Sequence, residues 1–181
     1  MGPFHAGGVA LRGGAELSAD QGDEGTMRKL LLAASHAVTL AAGFALGVYL
    51  LPILSAPDAP PPDSVAAAMR DAPHHGEFRR DLEGSDPLHY GEGRVSVGPA
   101  AVAFRGRLAP GPAYRLYFAP RFVRTKQEFL QVKAQSAPAG DIRTFDSFIV
   151  AVPATLDVSR YDTVVVWCEA FEAFITAARY R

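Results

Sequence analysis

The feature that most constrains this chain is the segment 30–54, whose 25 residues include no Asp, Glu, Lys or Arg. A helix of about 20 apolar residues is long enough to cross the hydrocarbon core of a bilayer. A cleaved signal peptide has a shorter apolar region, of about 7–15 residues. We therefore predict a single transmembrane signal-anchor helix over residues 27–54.

The charges on either side of this segment predict its orientation. Arg28 and Lys29 precede the segment, and Asp58 and Asp63 follow it. Because basic residues are retained on the cytoplasmic side of a membrane, the N-terminus is expected in the cytoplasm. We expect the chain in the inner membrane of a bacterial cell envelope, with its C-terminal domain facing the periplasm.

A cleaved signal peptide is the alternative to an uncleaved anchor. The small residues that would suit a cleavage site are Ala56 and Ala59, but each is followed directly by a proline. Proline after the cut blocks cleavage, and the apolar region is longer than a signal peptide needs. These two observations favour the anchor and leave the alternative open.

The segments that flank the anchor have different compositions. Residues 1–26 contain seven glycines and show no apolar periodicity, which is typical of disorder. We interpret them as a disordered cytoplasmic tail, or as the result of a translation start assigned at Met1 instead of Met27. Residues 55–73 contain five prolines, which favour a stiff extended stalk. Within this stalk, residues 64–71 have the composition for two helical turns.

Residues 74–181 alternate between apolar and polar positions in short runs that Gly and Pro interrupt, a pattern typical of antiparallel strands. One segment differs, because Thr125 and Glu128 have the spacing of a capping box, which predicts a short helix over about 126–133. We predict a mainly β domain over 74–181, an antiparallel sandwich or barrel with one short helix. The predicted strands are 94–97, 100–108, 114–118, 145–152, 163–168 and 174–180.

Composition excludes several classes of function. The chain has 18 Lys and Arg against 19 Asp and Glu, so it is not a strongly basic nucleic-acid binder. It has one cysteine, so it forms no intrachain disulfide and no multi-cysteine zinc site. His74 and His75 are adjacent and would point to opposite sides of an extended strand, and His89 lies apart from them. We therefore predict no nucleic-acid partner and no metal site.

The lone thiol of Cys168 has two interpretations. Strand alternation places Cys168 on the same apolar face as Val164 and Val166, where a free cysteine packs as a small inert hydrophobe. Outside the cytoplasm, however, an unpaired cysteine is exposed to oxidation, so that its presence also suggests a redox use. The residues alone leave both interpretations open.

Four segments of this domain, at 76–78, 111–120, 161–171 and 174–178, resemble motifs of the DM-thirteen "electron transfer" domain family. Gly111-Pro112, followed by Tyr-Arg-Leu-Tyr-Phe-Ala-Pro over 114–120, resembles one strand of that family. Residues 161–171, Tyr-Asp-Thr-Val-Val-Val-Trp-Cys-Glu-Ala-Phe, resemble its signature strand with the Trp-Cys pair. Residues 174–178 resemble its closing strand, and Gly-Glu-Phe over 76–78 resembles its opening motif. The resemblance covers roughly residues 76–181.

This resemblance implies an extracytoplasmic β-sandwich that takes part in electron transfer. The family's cysteine is proposed to act as a naked thiol or as the ligand of a prosthetic group. Cys168 is the residue of this chain that corresponds to that cysteine. We accordingly treat Cys168 as the candidate redox residue and as a candidate haem ligand. The expected function is an accessory redox module that meets a redox partner protein in the envelope. The alternative is a non-catalytic binding or assembly module with a buried structural cysteine; neither function requires the chain to be an enzyme, and the sequence leaves that question open.

Overall fold

The computed structural model describes Gly2 and residues 20–181. The chain forms two units, Met1–Ala45 and Leu46–Arg181. Most of the predicted disordered tail, namely residue 1 and residues 3–19, lies outside the described residues.

The first helix, α1 (Asp20–Leu54), contains the predicted anchor. Its stretch Glu24–Leu54 is long and apolar enough to cross a membrane, although a signal sequence or a core helix can have the same length and composition. The helix begins at Asp20, seven residues before the predicted start. Once a helix is nucleated, each added residue gains a hydrogen bond, so a polar segment can extend an apolar helix.

The second helix, α2 (Pro62–Asp71), forms within the predicted stalk. Proline suits its first position because the amide that proline lacks would have no partner there. The side chain of Val65 is fully buried, and Arg105 donates a hydrogen bond to the carbonyl of Pro62 at 3.0 Å. This part of the stalk segment therefore packs on the β domain.

In the described residues, eight antiparallel strands form two sheets of four. The first sheet has the order β1-β2-β3-β6, and the second has the order β5-β4-β7-β8. The strands are β1 (His74–Phe78), β2 (Gly91–Val97), β3 (Ala101–Leu108), β4 (Tyr114–Ala119), β5 (Ala137–Ile142), β6 (Ser147–Ala151), β7 (Thr163–Cys168) and β8 (Ala173–Arg179). The mainly β fold of the sequence prediction is confirmed.

The core of the sandwich is built from the inward-facing side chains of both sheets. Phe104 of β3 and Phe148 of β6 stack with ring centroids 5.0 Å apart, and Phe78 of β1 lies 5.3 Å from Phe104. Val164, Val166 and other fully buried residues of the second sheet belong to the same cluster. Burial of such side chains supplies the main driving force for folding.

Two strands, β1 and β5, were absent from the sequence prediction. Both lie at the edge of a sheet. Only Phe78 is fully buried in β1, so its apolar alternation is weak. In β5, Pro138 and Gly140 interrupt the pattern, and an edge strand tolerates proline because the missing amide faces away from the ladder.

The third helix, α3 (Lys126–Val132), covers the outer face of the second sheet. The Oγ1 atom of Thr125 accepts a hydrogen bond from the amide of Glu128 at 3.2 Å, as the capping box predicts. The Glu128 carboxylate accepts instead from the amide of Arg124, one residue earlier than in the standard box. Phe129 and Val132 are buried against a second apolar cluster that includes Val165 and Trp167.

Candidate functional site

Strand β7 is buried on both of its faces. Val164, Val166 and Cys168 point into the sandwich core, as the alternation predicts. Val165 and Trp167 point to the opposite face, where α3 covers them. The two residues that carry chemistry, Trp167 and Cys168, are therefore consecutive in the chain and lie on opposite sides of one sheet.

The thiol of Cys168 is shielded from solvent. The residue is only 2% exposed, and its Sγ donates a hydrogen bond to the carbonyl of Pro112 at 3.0 Å. Burial raises the pKa of the thiol, although the amides of Phe171 and Ala170 act in the opposite direction. Because the thiolate is the reactive form, this thiol is poorly nucleophilic at neutral pH.

The surroundings of Cys168 do not fit the predicted haem ligand. A haem-thiolate bond needs a deprotonated sulfur and an open face for the iron. The Sγ atom of Cys168 is protonated and donates a hydrogen bond to the Pro112 carbonyl, and the side chain is packed in the sandwich core. Its partner across the strand pair is Tyr114, a residue that is itself buried.

Trp167 lies in an apolar environment with one cation above its ring. Its side chain is fully buried, and its ring centroid lies 5.1 Å from that of Phe129. The Nζ atom of Lys133 lies 4.7 Å from the centroid of the indole ring. In the described part of the chain, the indole Nε1 has no hydrogen-bond partner, which is uncommon for a buried donor.

Three further side chains complete the outer face of this site. The hydroxyl of Tyr117 donates a hydrogen bond to Oε1 of Glu169, and Nζ of Lys133 donates to Oε2 of Glu169 at 3.1 Å. Tyr117 is 7% exposed, whereas the side chains of Lys133 and Glu169 are 29% and 30% exposed. We define the β7-end cluster as Tyr117, Lys133, Trp167 and Glu169, whereas Cys168 lies on the opposite side of the sheet.

The hydrogen bonds within the cluster change the acidity of its members. Burial raises the pKa of Tyr117 to about 12, and the bond to the Glu169 carboxylate acts in the same direction. Burial acts to raise the pKa of Glu169, but the bonds from Tyr117 and Lys133 outweigh it and lower that pKa. At neutral pH the pair therefore consists of a neutral phenol and an ionised carboxylate.

This pair can support proton-coupled oxidation of the phenol. A tyrosine that loses an electron becomes a strong acid and must release its proton. Glu169 already accepts the hydrogen bond from that hydroxyl and is ionised, so it is positioned as the base. The indole of Trp167 is a second oxidisable ring in the same cluster, and Phe129 contacts the rings of both Tyr117 and Trp167.

The three histidines considered in the sequence analysis have separate partners. Nδ1 of His75 lies 2.9 Å from Oγ of Ser96, and Nδ1 of His89 lies 2.8 Å from a carboxylate oxygen of Asp86. The ring of His74 packs against Tyr180. The structure does not bring these histidines together.

Tyr117, Glu169 and Lys133 were not singled out as functional residues by the sequence analysis. One signal was available, because the alternation of β4 and β7 places Tyr117, Trp167 and Glu169 on the faces opposite the sandwich core. The missing information was the register, in which Tyr117 lies opposite Val165, and the position of Lys133 directly after α3.

One comparison with known proteins gave a match. A family model described as electron transfer DM13 matches residues 83–180, just over half of the chain. The match spans β2 to β8, includes the whole β7-end cluster, and confirms the resemblance inferred from the motifs. Neither the curated proteins nor the solved structures contain a match to the chain.

Proposed function

Because the chain belongs to the electron transfer DM13 family, we propose that it is a membrane-anchored electron-transfer module of a bacterial cell envelope. In this proposal α1 spans the inner membrane, and the β-sandwich faces the periplasm. There the domain exchanges electrons with a redox partner protein. Family membership supports an association with electron transfer, whereas the anchoring and the location rest on the apolar helix and on the charges beside it.

The orientation predicts the result of a reporter fusion. A reporter enzyme that is active only in the periplasm is expected to be active when fused after Arg181, because Arg28 and Lys29 hold the N-terminus in the cytoplasm. The fusion is expected in the membrane fraction at its full length. Activity of a cytoplasm-specific reporter at the same position contradicts this orientation. Release of a shortened soluble chain instead identifies a cleaved signal peptide.

The observation that carries the electron-transfer proposal is the hydrogen bond from Tyr117 to Glu169 beside the shielded ring of Trp167. It combines an oxidisable side chain with an ionised proton acceptor, close enough to the surface for a partner protein. Lys133 fixes the other oxygen of the carboxylate and so holds Oε1 towards the phenol.

The proposed step transfers one electron. The phenol of Tyr117 gives an electron to a high-potential one-electron acceptor, a metal centre on the partner protein, and that acceptor is reduced. The O–H bond breaks as its proton moves to Oε1 of Glu169, leaving a neutral tyrosyl radical and a carboxylic acid. A one-electron donor then reduces the radical, and the proton returns to the phenol oxygen.

Replacement of the oxidisable phenol is expected to remove the radical. When a photogenerated ruthenium(III) complex oxidises the full-length protein in detergent, electron paramagnetic resonance is expected to detect a tyrosyl signal. The Tyr117→Phe variant is expected to lose most of that signal, because only the hydroxyl is removed. Tyr90→Phe is the matched control: Tyr90 is half-buried beneath Arg80, and no carboxylate bond of its hydroxyl is seen in the described residues. An unchanged signal in Tyr117→Phe contradicts the proposal.

Cys168 supports a second candidate function. Its burial and its bond to the Pro112 carbonyl favour a structural thiol in a non-catalytic binding or assembly module. A direct redox role of Cys168, which the family resemblance implies, requires that the loop carrying Pro112 opens. Measurement of the thiol's reactivity distinguishes these roles.

A further inference from the structure

A groove of about 800 Å³ lies between α2 and the outer face of the first sheet. Three arginines line it: Arg70 from α2, Arg94 from β2 and Arg105 from β3. A single acid, Glu77 of β1, lies among them. All three arginines are exposed, so the groove presents a net positive surface.

One pair among these charges is unfavourable for the isolated domain. Glu77 lies directly opposite Arg94, which is a favourable pairing, but Arg94 also lies directly opposite Arg105, so that two guanidinium groups extend from paired positions. Like charges in such positions destabilise a sheet. Five arginines elsewhere in the domain form salt bridges, namely Arg79, Arg115, Arg124, Arg143 and Arg179.

Within the described domain, none of the groove arginines has a comparable salt-bridge partner. Among residues 24–181, no salt bridge is formed by Arg70, Arg94 or Arg105. Arg105 donates a hydrogen bond to a neutral acceptor, the carbonyl of Pro62. The groove therefore contains cationic groups that packing of the described domain leaves available for an anion.

The cations are spread along the groove. Arg105 contacts the first residue of α2, and Arg70 lies in the last turn of that helix. At 1.5 Å of rise per residue, this part of the helix measures about 12 Å. A guanidinium pairs with a carboxylate or a phosphate through two parallel hydrogen bonds. An elongated ligand with several anionic groups fits this spacing better than one small anion does.

The surface between the arginines is partly apolar and partly hydrogen-bonding. Ala66 and Met69 of α2 are half-buried in the lining, and His75 and Ser96 form a polar pair at 2.9 Å. Sugar rings have apolar C–H faces and many hydroxyls that can use both kinds of surface, whereas inorganic polyphosphate has no apolar face. We propose that this groove binds an acidic polysaccharide whose carboxylates pair with Arg70, Arg94 and Arg105.

The test uses the full chain in detergent and an oligogalacturonate as the acidic probe, with binding measured by calorimetry. Arg94→Gln and Arg105→Gln are each expected to weaken binding about tenfold, because each removes a charge-assisted contact. Arg107→Gln is the matched control: it removes the same charge two residues further along β3, outside the groove lining. It is expected to leave the affinity within about twofold of the parent.

Three results overturn the proposal. Equal weakening by Arg107→Gln shows that only overall charge matters. At equal total charge of the two probes, tighter binding of polyphosphate than of oligogalacturonate shows that the anionic groups and not the sugar determine binding. Binding confined to phosphatidylglycerol vesicles, with none to oligogalacturonate, identifies a membrane surface instead. An uncharged oligosaccharide of equal length is expected not to bind, since it cannot pair with the arginines.

Discussion

The thiol of Cys168 is expected to react with a soluble thiol reagent at least about 10³-fold more slowly in the native protein than in denaturant. The residue is 2% exposed and hydrogen-bonded to Pro112, so reaction requires the structure to open. Opening free energies of core strands approach the global stability, and about 4 kcal/mol already corresponds to a factor of about 10³. The raised pKa of the thiol lowers its reactivity further, because less thiolate is present.

The control for this measurement is an exposed thiol in the same fold. Ser159 is exposed, so Ser159→Cys in a Cys168→Ala background is expected to react at nearly the same rate with and without denaturant. Native labelling of Cys168 at the rate of this control contradicts the shielded site. It instead favours the thiol chemistry that the family resemblance implies.

The short helix and most of the strands were predictable from local sequence. Thr125 and Glu128 marked the start of α3, and the valine-rich alternation marked β7 with its observed bounds. The edge strands β1 and β5 were not predictable from local sequence. Strand β1 buries few side chains, and Pro138 and Gly140 interrupt the strand pattern of β5. An edge strand forms through pairing with its neighbour, and such a contact leaves little local signal.

The position of α2 could not be predicted for a similar reason. A dense run of prolines predicts an extended stalk, and nothing local indicates that Val65 would be buried on the β domain. The mixed composition of the helix indicates helical turns but does not identify the surface against which they pack. The position of α2 is determined by its tertiary contacts with the β domain.

The candidate site was only partly predictable. The sequence motifs identified Cys168, and strand alternation correctly placed it towards the core. The pairing of Tyr117 with Glu169 depends on the register of β4 against β7 and on the turn after Cys168. These residues are 52 positions apart in the chain, and no pattern within either strand indicates their contact.

The role of Glu169 as the proton acceptor predicts a large kinetic effect. Glu169→Gln keeps a hydrogen-bond acceptor for Tyr117 but removes the base, and a positioned base typically accelerates proton transfer by 10²–10⁴-fold. We therefore expect flash oxidation of Tyr117 to be about 10²-fold slower in this variant. In the parent protein, the rate is expected to fall as the pH drops through the lowered pKa of Glu169, because a protonated carboxyl cannot accept the proton.

The most direct test of the account is therefore the rate at which the tyrosyl radical forms after a laser flash in the parent and in Glu169→Gln. Glu172→Gln is the matched control, because it removes an exposed carboxylate three residues further along the chain. We expect the radical to form about 10²-fold more slowly in Glu169→Gln and at an unchanged rate in Glu172→Gln. Equal rates in all three proteins would show that water takes the proton, and would contradict the proposed electron-transfer site.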